Sequence, residues 1–451
     1  MRYWHEQAIF YHIYTFGLCG APFRNDYGAP AHRLREVARW IPHIKALGCT
    51  AVLFSPVFQS ATHGYDTTDY FQIDSRLGTN DDFAALVRAL HEAGLKVVLD
   101  GVLNHCGRDF FAFRDLCDRK WDSPCRDWFA GVDFSRRSPL GDPFDYATWG
   151  GYYELAKFNH RNADLRAHLF AAVRRWVEEF GVDGLRLDAA DCLEADFMRD
   201  LRGLCLGLKP DFWLMGEVLH GDYRRWANRD MLHSVTNYEA FKGLHSCHND
   251  DNLFEMAYTL EREFSPESGL YRNVPLYNFA DNHDVDRLAS VLRDPAHLYT
   301  AYILLYTMPG LPSIYYGSEW GVRGVKENGS DQGIRPYIDL ALPGGVAPDL
   351  PKTLSRLASI RLNSPALLYG SCRKRFIEYR RPFVFERAWT GGDGATERVI
   401  VAVNPAGHEA GVSLPGETGV WHDLLNGEVF TGESLRELGL YPHWGRILRA
   451  G

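Results

Sequence analysis

The chain has 451 residues, of which 46% are hydrophobic and 14% aromatic, and its net charge is −9 from 49 basic and 58 acidic residues. This length accommodates one large barrel with additions, or several smaller domains. No run approaches the roughly 18–20 consecutive apolar residues that span a bilayer, and no basic stripe suits phosphates, so neither a membrane nor a nucleic acid is expected as a partner.

The nine cysteines are scattered, odd in number and never spaced C-x-x-C. This pattern is typical of free thiols in a reducing compartment and argues against a zinc ribbon. Residues 1–15 lack the basic, apolar and small-residue succession of a secretory signal. We therefore expect a cytoplasmic protein.

Strand-like and helix-like segments alternate over most of the chain, which predicts a parallel sheet with crossover helices. One predicted helix places Leu34, Val37 and Ile41 on one face, another begins at Asn80, and a third ends at Gly181. Eight such strands close a (β/α)8 TIM barrel. The predicted strands cover residues 8–16, 49–54, 95–103, 184–187, 212–215, 234–237, 275–280 and 313–316.

Two regions break this alternation. Residues 106–162 are rich in Asp, Arg, Pro, Gly and aromatics, and they are too long for a βα loop of about 2–6 residues. We read them as an inserted domain B after the third strand. From residue 371 to 451 the pattern becomes two-residue alternation with a hairpin signal at Asn426-Gly427. The prediction is a catalytic barrel over 1–105 and 163–370, followed by a C-terminal antiparallel β-sandwich.

Polar residues cluster where the predicted barrel strands end, which is where barrel enzymes place their chemistry. Arg186 and Asp188 point to the same face of the fourth strand, and the cation keeps the carboxylate ionised, as a nucleophile requires. Glu217 ends the fifth strand and Asp284 follows the seventh. An ionised carboxylate facing a protonated one is the requirement for retaining glycoside cleavage, and a third carboxylate would stabilise an oxocarbenium-like transition state.

Three further residues are candidates for sugar binding. His105 and His283 can donate hydrogen bonds to hydroxyl groups, and Tyr65 can stack on a pyranose face. Each residue alone has an ordinary structural explanation, such as a buried ion pair or a core histidine whose ring nitrogens form hydrogen bonds within the protein. Their joint position at strand ends makes the functional interpretation much more specific.

Four segments, residues 100–105, 184–189, 216–218 and 279–284, resemble in order the signature regions of the α-amylase family, glycoside hydrolase family 13. Residues 63–70 and 312–317 resemble its connecting segments, so the resemblance covers the barrel, domain B and the C-terminal sandwich. It implies that Asp188 is the nucleophile, Glu217 the acid/base and Asp284 the transition-state stabiliser. It also implies that Tyr65, His105, Arg186 and His283 line the site.

Residues 155–159 resemble the short domain-B signature of the neopullulanase and cyclomaltodextrinase branch, although Ala156 and Phe158 replace its usual Pro and Leu. The branch's extra N-terminal domain is absent from this sequence. Asp191 and Cys192 stand where typical α-amylases carry a Lys-His pair that grips the leaving-group side. We therefore expect weaker grip on long starch chains and activity on short α-glucans.

No cofactor is expected to be required for the chemistry. The His that Cys192 replaces also helps to hold the family's structural calcium, for which Asn104 is a candidate ligand, and hard cations need several oxygens. No residue is assigned as a metal ligand.

The leading hypothesis is hydrolysis of α-1,4 bonds in maltooligosaccharides, cyclodextrins or starch by double displacement. The same machinery also allows transglycosylation or α-glucosidase action. A non-catalytic glycan-binding homologue is the remote alternative, because fold does not guarantee chemistry. The sequence predicts neither the oligomeric state nor the preference between α-1,4 and α-1,6 bonds.

Overall fold

The computed structural model describes residues 3–250, 252–327 and 329–451. It divides into two compact units. The first unit comprises Met1–Tyr11, His43–Thr50 and Thr236–Gly451, and the second comprises His12–Pro42 and Ala51–Val235. No helix among the described residues is both long enough and apolar enough to cross a membrane.

The strands, numbered in chain order, are β1 Phe10–Ile13, β2 Ala51–Phe54, β3 Phe58–Ser60, β4 Thr67–Ile73, β5 Lys96–Gly101, β6 His105–Gly107, β7 Thr148–Trp149, β8 Tyr152–Lys157, β9 Gly184–Leu187, β10 Trp213–Gly216, β11 Ser234–Val235, β12 Tyr277–Phe279, β13 Leu311–Tyr315, β14 Ser371–Phe376, β15 Phe383–Thr390, β16 Thr396–Asn404, β17 Ala410–Val412, β18 Val420–Asp423, β19 Val429–Thr431, β20 Leu438–Leu440 and β21 Trp444–Ala450.

The helices are α1 Thr15–Leu18, α2 Leu34–Ala46, α3 Asn80–Glu92, α4 Phe111–Arg119, α5 Ala163–Phe180, α6 Ala195–Leu208, α7 Tyr238–Asn249, α8 Phe254–Phe264, α9 Leu288–Val291, α10 His297–Thr307, α11 Leu350–Leu362 and α12 Pro365–Tyr369. Their ends follow local chemistry. Thr79 and Asp82 cap α3 reciprocally, and Gly181 ends α5 at a φ of 75° in the left-handed region.

The second unit contains a run of parallel strands. β2 pairs with β5, β5 with β9, β9 with β10 and β10 with β11. Every residue of β2, β9 and β10 is buried, which explains why these strands read as continuous apolar runs rather than alternating ones.

Domain-B residues of the second unit form a separate antiparallel sheet in the order β6-β8-β7. Gly107, in β6, is needed for close packing, because a Cβ there would lie 2.4 Å from the backbone oxygen of Asp66. The aromatic rings of Phe113, Phe144 and Tyr146 pack against each other in the same domain.

The first unit contains the parallel pair β12 and β13 and the antiparallel C-terminal strands. Six of these form a sheet in the order β14-β15-β16-β21-β18-β19, and β17 pairs with β20. A shared apolar core joins the two sheets through residues such as Ile400, Trp421 and Leu438. The hairpin predicted at Asn426-Gly427 is confirmed as the turn between β18 and β19.

The strand predicted over residues 8–16 is too long. The observed strand is Phe10–Ile13, and α1 begins at Thr15. Tyr14 and Phe16 are buried although they lie outside the ladder, so apolar composition continues past the point where sheet hydrogen bonding stops. The same reason explains β5, which ends at Gly101 while Val102 and Leu103 stay buried.

A buried carboxylate, Asp183, anchors the start of β9. It accepts hydrogen bonds from His91 Nε2 at 2.8 Å, Lys209 Nζ at 2.7 Å and the Val97 N–H at 2.9 Å, and Lys96 Nζ lies 3.0 Å away. Burial alone would raise the pKa of Asp183, but these donors lower it well below its usual range. The pKa of Asp183 is therefore lower in the folded protein than in the unfolded chain, where an aspartate has a pKa of about 3.9. The ionised carboxylate stabilises the fold at pH values above about 3.9, and this stabilisation is lost as the pH falls from there through the folded-state pKa.

We expect Asp183→Asn to lower the free energy of unfolding near neutral pH by about 3 kcal/mol, because two lysines lose their buried partner. Thermal melts at pH 7 and in acid measure this, and the difference between the variant and the native protein should shrink in acid. Asp211→Asn is the matched control, since that carboxylate is 43% exposed and 3.9 Å from Lys96. Equal melting temperatures for native protein and Asp183→Asn at pH 7 would contradict the argument.

Candidate active site

In the second unit, one buried guanidinium contacts three carboxylates that come from three neighbouring parallel strands. Arg186 Nη1 lies 2.6 Å from Asp100 Oδ2 and 3.1 Å from Asp188 Oδ1, and Arg186 Nη2 lies 2.9 Å from Glu217 Oε2. Burial alone would lower the pKa of Arg186, but Asp100 and Glu217 raise it well above its usual value. Arg186 is therefore a fixed cation that holds the two predicted catalytic carboxylates at one place.

Strand register produces this arrangement. Asp100 is paired with Arg186 across β5 and β9, and Leu187 with Gly216 across β9 and β10. Asp188 and Glu217 therefore leave adjacent strands at the same level. The Glu217 N–H donates to the Leu187 carbonyl at 2.9 Å, and Glu217 Oε2 accepts from the Ala189 N–H at 3.2 Å.

Tyr65 lies against this cluster. Its hydroxyl donates to Asp100 Oδ2 at 2.8 Å, and its ring centroid is 5.9 Å from the Arg186 guanidinium carbon. Asp100 was not among the predicted site residues, although a lone acid directly after the buried apolar run of residues 97–99 was a usable signal. It orients both Tyr65 and Arg186.

His105 is 1% exposed, and its Nε2 lies 3.9 Å from Asp188 Oδ2. This distance is too long for a hydrogen bond. Burial and the neighbouring His63 lower the pKa of His105 to about 3, so the ring is neutral at physiological pH. Among the described residues Nε2 has no hydrogen-bond partner, which leaves it able to contact a hydroxyl beside the Asp188 carboxylate.

In the first unit, the predicted residues His283 and Asp284 follow β12. His283 Nε2 lies 2.9 Å from Asp284 Oδ2, and Arg335 Nη2 lies 3.0 Å from Asp284 Oδ1. Arg335 also donates from Nε to the His283 carbonyl at 2.8 Å. No sequence pattern pointed to Arg335, because it lies in an irregular segment far from any signature region.

Asp281, in the same segment, belongs to a structural network. Its Oδ2 accepts from the Leu288 N–H and from the Ser318 hydroxyl, both at 2.8 Å. Burial raises the pKa of this carboxyl.

Two domain-B residues near His105 were also not predicted. Lys157 is paired with His105 across β6 and β8, so the two side chains share one face. The Trp149 ring lies 5.7 Å from the His105 ring and stacks on the Tyr152 ring at 6.0 Å. Tyr152 is 59% exposed, so this pair offers an apolar surface next to the acidic cluster.

The Asp191 and Cys192 positions lie in a short 3-10 turn just after Asp188, and both side chains are exposed. Partial burial and Asp191 raise the pKa of Cys192 to about 11, whereas Lys157 lowers it. Cys192 is thus a protonated thiol, and the electrostatic effect of Lys157 reaches it. All nine cysteines are described and free.

Comparisons with known proteins fit this arrangement. Residues 21–339 match the family model described as the α-amylase catalytic domain. Neopullulanase 2 of Thermoactinomyces vulgaris is 32% identical, with 99% of this chain and 78% of that protein aligned. A cyclomaltodextrinase of Geobacillus thermopakistaniensis is 27% identical, with 92% of this chain and 70% of that protein aligned.

The chain belongs to the α-amylase family. Among solved structures, Ttha1563 of Thermus thermophilus is similar at a TM-score of 0.83 and 28% identity, covering 99% of this chain and 100% of that one. A cyclic α-maltosyl-(1→6)-maltose hydrolase of Arthrobacter globiformis is similar at a TM-score of 0.82 and 25% identity, covering 100% of both chains.

Family membership confirms the predicted fold class, a (β/α)8 barrel with an insertion after the third strand and a C-terminal antiparallel sandwich. It also confirms that the chain is an α-amylase-type glycoside hydrolase. The remote alternative, a non-catalytic glycan-binding homologue, is therefore not favoured. The roles of individual residues and the domain boundaries at 105/106, 162/163 and 370/371 remain predictions.

Proposed function

We propose that this enzyme hydrolyses α-1,4-glucosidic bonds of cyclodextrins and short maltooligosaccharides by double displacement. The observation that carries the proposal is the strand register that brings Asp188 and Glu217 to the same level on adjacent strands. The substrate class is supported by the relatives named cyclomaltodextrinase and neopullulanase.

In the proposed first step, an Asp188 oxygen attacks the anomeric carbon and Glu217 gives its proton to the leaving glycosidic oxygen. Arg186 Nη1 lies 3.1 Å from Asp188 Oδ1 and places a positive charge beside the nucleophile. In the second step, Glu217 removes a proton from water, which displaces Asp188 and releases a sugar of the original anomeric configuration.

Other residues have supporting roles in this proposal. Asp284 stabilises the positive charge that develops on the sugar ring, and Arg335 and His283 orient its two oxygens. His105 and Tyr65 bind the sugar whose bond is cleaved. The neutral state of His105 suits a donor to a hydroxyl beside Asp188, because an imidazolium would pair with the nucleophile and weaken it.

The test is incubation of the purified protein with β-cyclodextrin, maltotriose, pullulan and soluble starch, with and without chelator. We expect faster cleavage of cyclodextrin and short sugars than of starch, and NMR should show the α-anomer forming first. Formation of the β-anomer first would contradict double displacement. Products longer than the substrate at high concentration would favour the second candidate, transglycosylation, which uses the same intermediate.

The incubation with chelator also tests whether calcium is bound. Calcium takes no part in the proposed chemical step. Asn104 Oδ1 is buried and accepts no hydrogen bond from the described residues, so one oxygen is available to a hard cation that needs about six to eight. If a structural calcium ion is bound, its removal by the chelator should lower the melting temperature without changing kcat at low temperature.

We also propose an intracellular location. It is supported by the nine free cysteines and by the 28% identity to the protein named intracellular maltogenic amylase of Bacillus subtilis, over 64% of this chain and 49% of that protein. Fractionation of the native cells tests it.

We propose that Lys157 helps to bind the leaving-group part of the substrate, where Asp191 and Cys192 replace the Lys-His pair of typical α-amylases. This proposal is supported by the pairing of Lys157 with His105 across β6 and β8. We expect Lys157→Gln to raise KM for β-cyclodextrin about tenfold with little change in kcat, as for loss of one charged hydrogen bond. Steady-state kinetics measure this, with Lys120→Gln, an exposed domain-B lysine, as the control. An unchanged KM would exclude the role.

A further inference from the structure

Asp294, His297 and His443 converge in the first unit, on residues that the proposed mechanism does not use. Each offers one ligand atom, and these atoms all lie within 4.8 Å of one another. Asp294 precedes α10, His297 is the first residue of that helix, and His443 lies between β20 and β21. The cluster thus brings together two chain segments that are about 150 residues apart in the sequence.

The hydrogen bond of His297 selects a metal-binding tautomer. His297 is 5% exposed, and its Nε2 lies 2.9 Å from the carbonyl oxygen of Pro405. A carbonyl can only accept, so Nε2 carries the proton and Nδ1 of the neutral ring carries the lone pair. A ring nitrogen that donates to a carbonyl while the other faces a cation is the usual outer-shell arrangement of metal-bound histidines.

His443 and Asp294 face each other at a separation that suits a shared ion better than a direct bond. His443 Nε2 lies 3.6 Å from Asp294 Oδ2, which is too long for a hydrogen bond. Two ligands of a tetrahedral zinc ion with bonds of about 2.0–2.1 Å are roughly 3.3–3.4 Å apart. Asp294 Oδ1 is held by the Ala296 N–H at 2.9 Å, which leaves Oδ2 directed to the histidine.

The backbone also positions His443. Its φ is 47°, in the left-handed region, and its N–H donates to the Ala406 carbonyl at 2.9 Å. The ring lies 5.2 Å from the His297 ring. The buried His248 ring also packs against the His297 ring, at 5.2 Å. Three imidazole rings are therefore packed together beside the Asp294 carboxylate.

We propose that Asp294, His297 and His443 bind a divalent transition-metal ion of the zinc type. Two imidazole nitrogens and one carboxylate oxygen form a donor set for such an ion rather than for calcium. Water completes the tetrahedron. Asp294, whose side chain is 49% exposed, closes the site from the solvent side. The ion links the start of α10 to the segment before β21 and has a structural role.

The test is isothermal titration of the full-length, metal-stripped protein with Zn²⁺, together with the visible spectrum after Co²⁺ addition. We expect one equivalent to bind, a rise in melting temperature on binding, and a tetrahedral cobalt spectrum without thiolate charge transfer. His443→Ala and Asp294→Ala should each weaken binding at least about tenfold. His422→Ala, an exposed histidine of β18, is the matched control and should bind as the native protein does.

His297→Ala should abolish binding but could also perturb the core, so the two more exposed positions decide the outcome. Unchanged zinc affinity in both His443→Ala and Asp294→Ala would overturn the proposal, as would no binding by the native protein. A thiolate signature with Co²⁺ would also overturn it, because the metal would then sit on a cysteine.

Discussion

Asp188→Asn is expected to lower kcat on β-cyclodextrin by about 10⁴–10⁶-fold, the range for removal of a catalytic nucleophile. The carboxamide cannot form the covalent glycosyl intermediate. The fold should persist, because Arg186 keeps its contacts with Asp100 at 2.6 Å and with Glu217 at 2.9 Å. Melting temperature and steady-state kinetics on the same preparation separate loss of chemistry from loss of structure.

The matched control is Asp191→Asn, an exposed carboxylate three positions later in the 3-10 turn Ala190–Cys192. It should keep nearly full kcat. Asp188→Ala provides a second test, since added azide can occupy the space of the lost carboxylate and yield a β-glycosyl azide. Asp188→Asn retaining a tenth or more of native activity would reject Asp188 as nucleophile.

The features of the fold that sequence predicted best are those with local causes. The start of α3 follows from the Thr79–Asp82 capping box, and the end of α5 from Gly181 in the left-handed region. Strand lengths were predicted less well. Tyr14, Val102 and Leu103 are buried outside the ladder by tertiary packing, which periodicity cannot distinguish from burial within it.

The same distinction applies to the active site, where residues placed by local strand geometry were predicted and residues placed by long-range contacts were not. Arg186 and Asp188 were predictable together because the two-residue repeat of a strand sends both to one face, and the observed 3.1 Å contact agrees. Asp100, Lys157 and Arg335 were not predicted. Asp100 and Lys157 contribute through pairing across strands, and Arg335 through an irregular segment. Neither register nor loop path is encoded in local composition.

Glu217→Gln is expected to have an effect that depends on the leaving group. On β-cyclodextrin the loss in kcat/KM should be about 10²–10⁴-fold, the usual contribution of general acid catalysis. With α-maltosyl fluoride the first step should stay close to the native rate, since fluoride leaves without a proton. Gln keeps an oxygen that can accept from the Ala189 N–H, as Glu217 Oε2 does at 3.2 Å, so the backbone after β9 should remain in place.

Pre-steady-state kinetics with each substrate in excess over enzyme test this directly, because they separate formation of the glycosyl intermediate from its hydrolysis. For the fluoride, the second step becomes limiting without a base to activate water, so an initial burst should precede slow turnover. Equal losses on the two substrates would mean that Glu217 acts only through its 2.9 Å contact with Arg186. In that case the residue would position the guanidinium, and the proton donor would have to be sought elsewhere. A burst with the fluoride and none with the cyclodextrin would instead assign the proton transfer to Glu217.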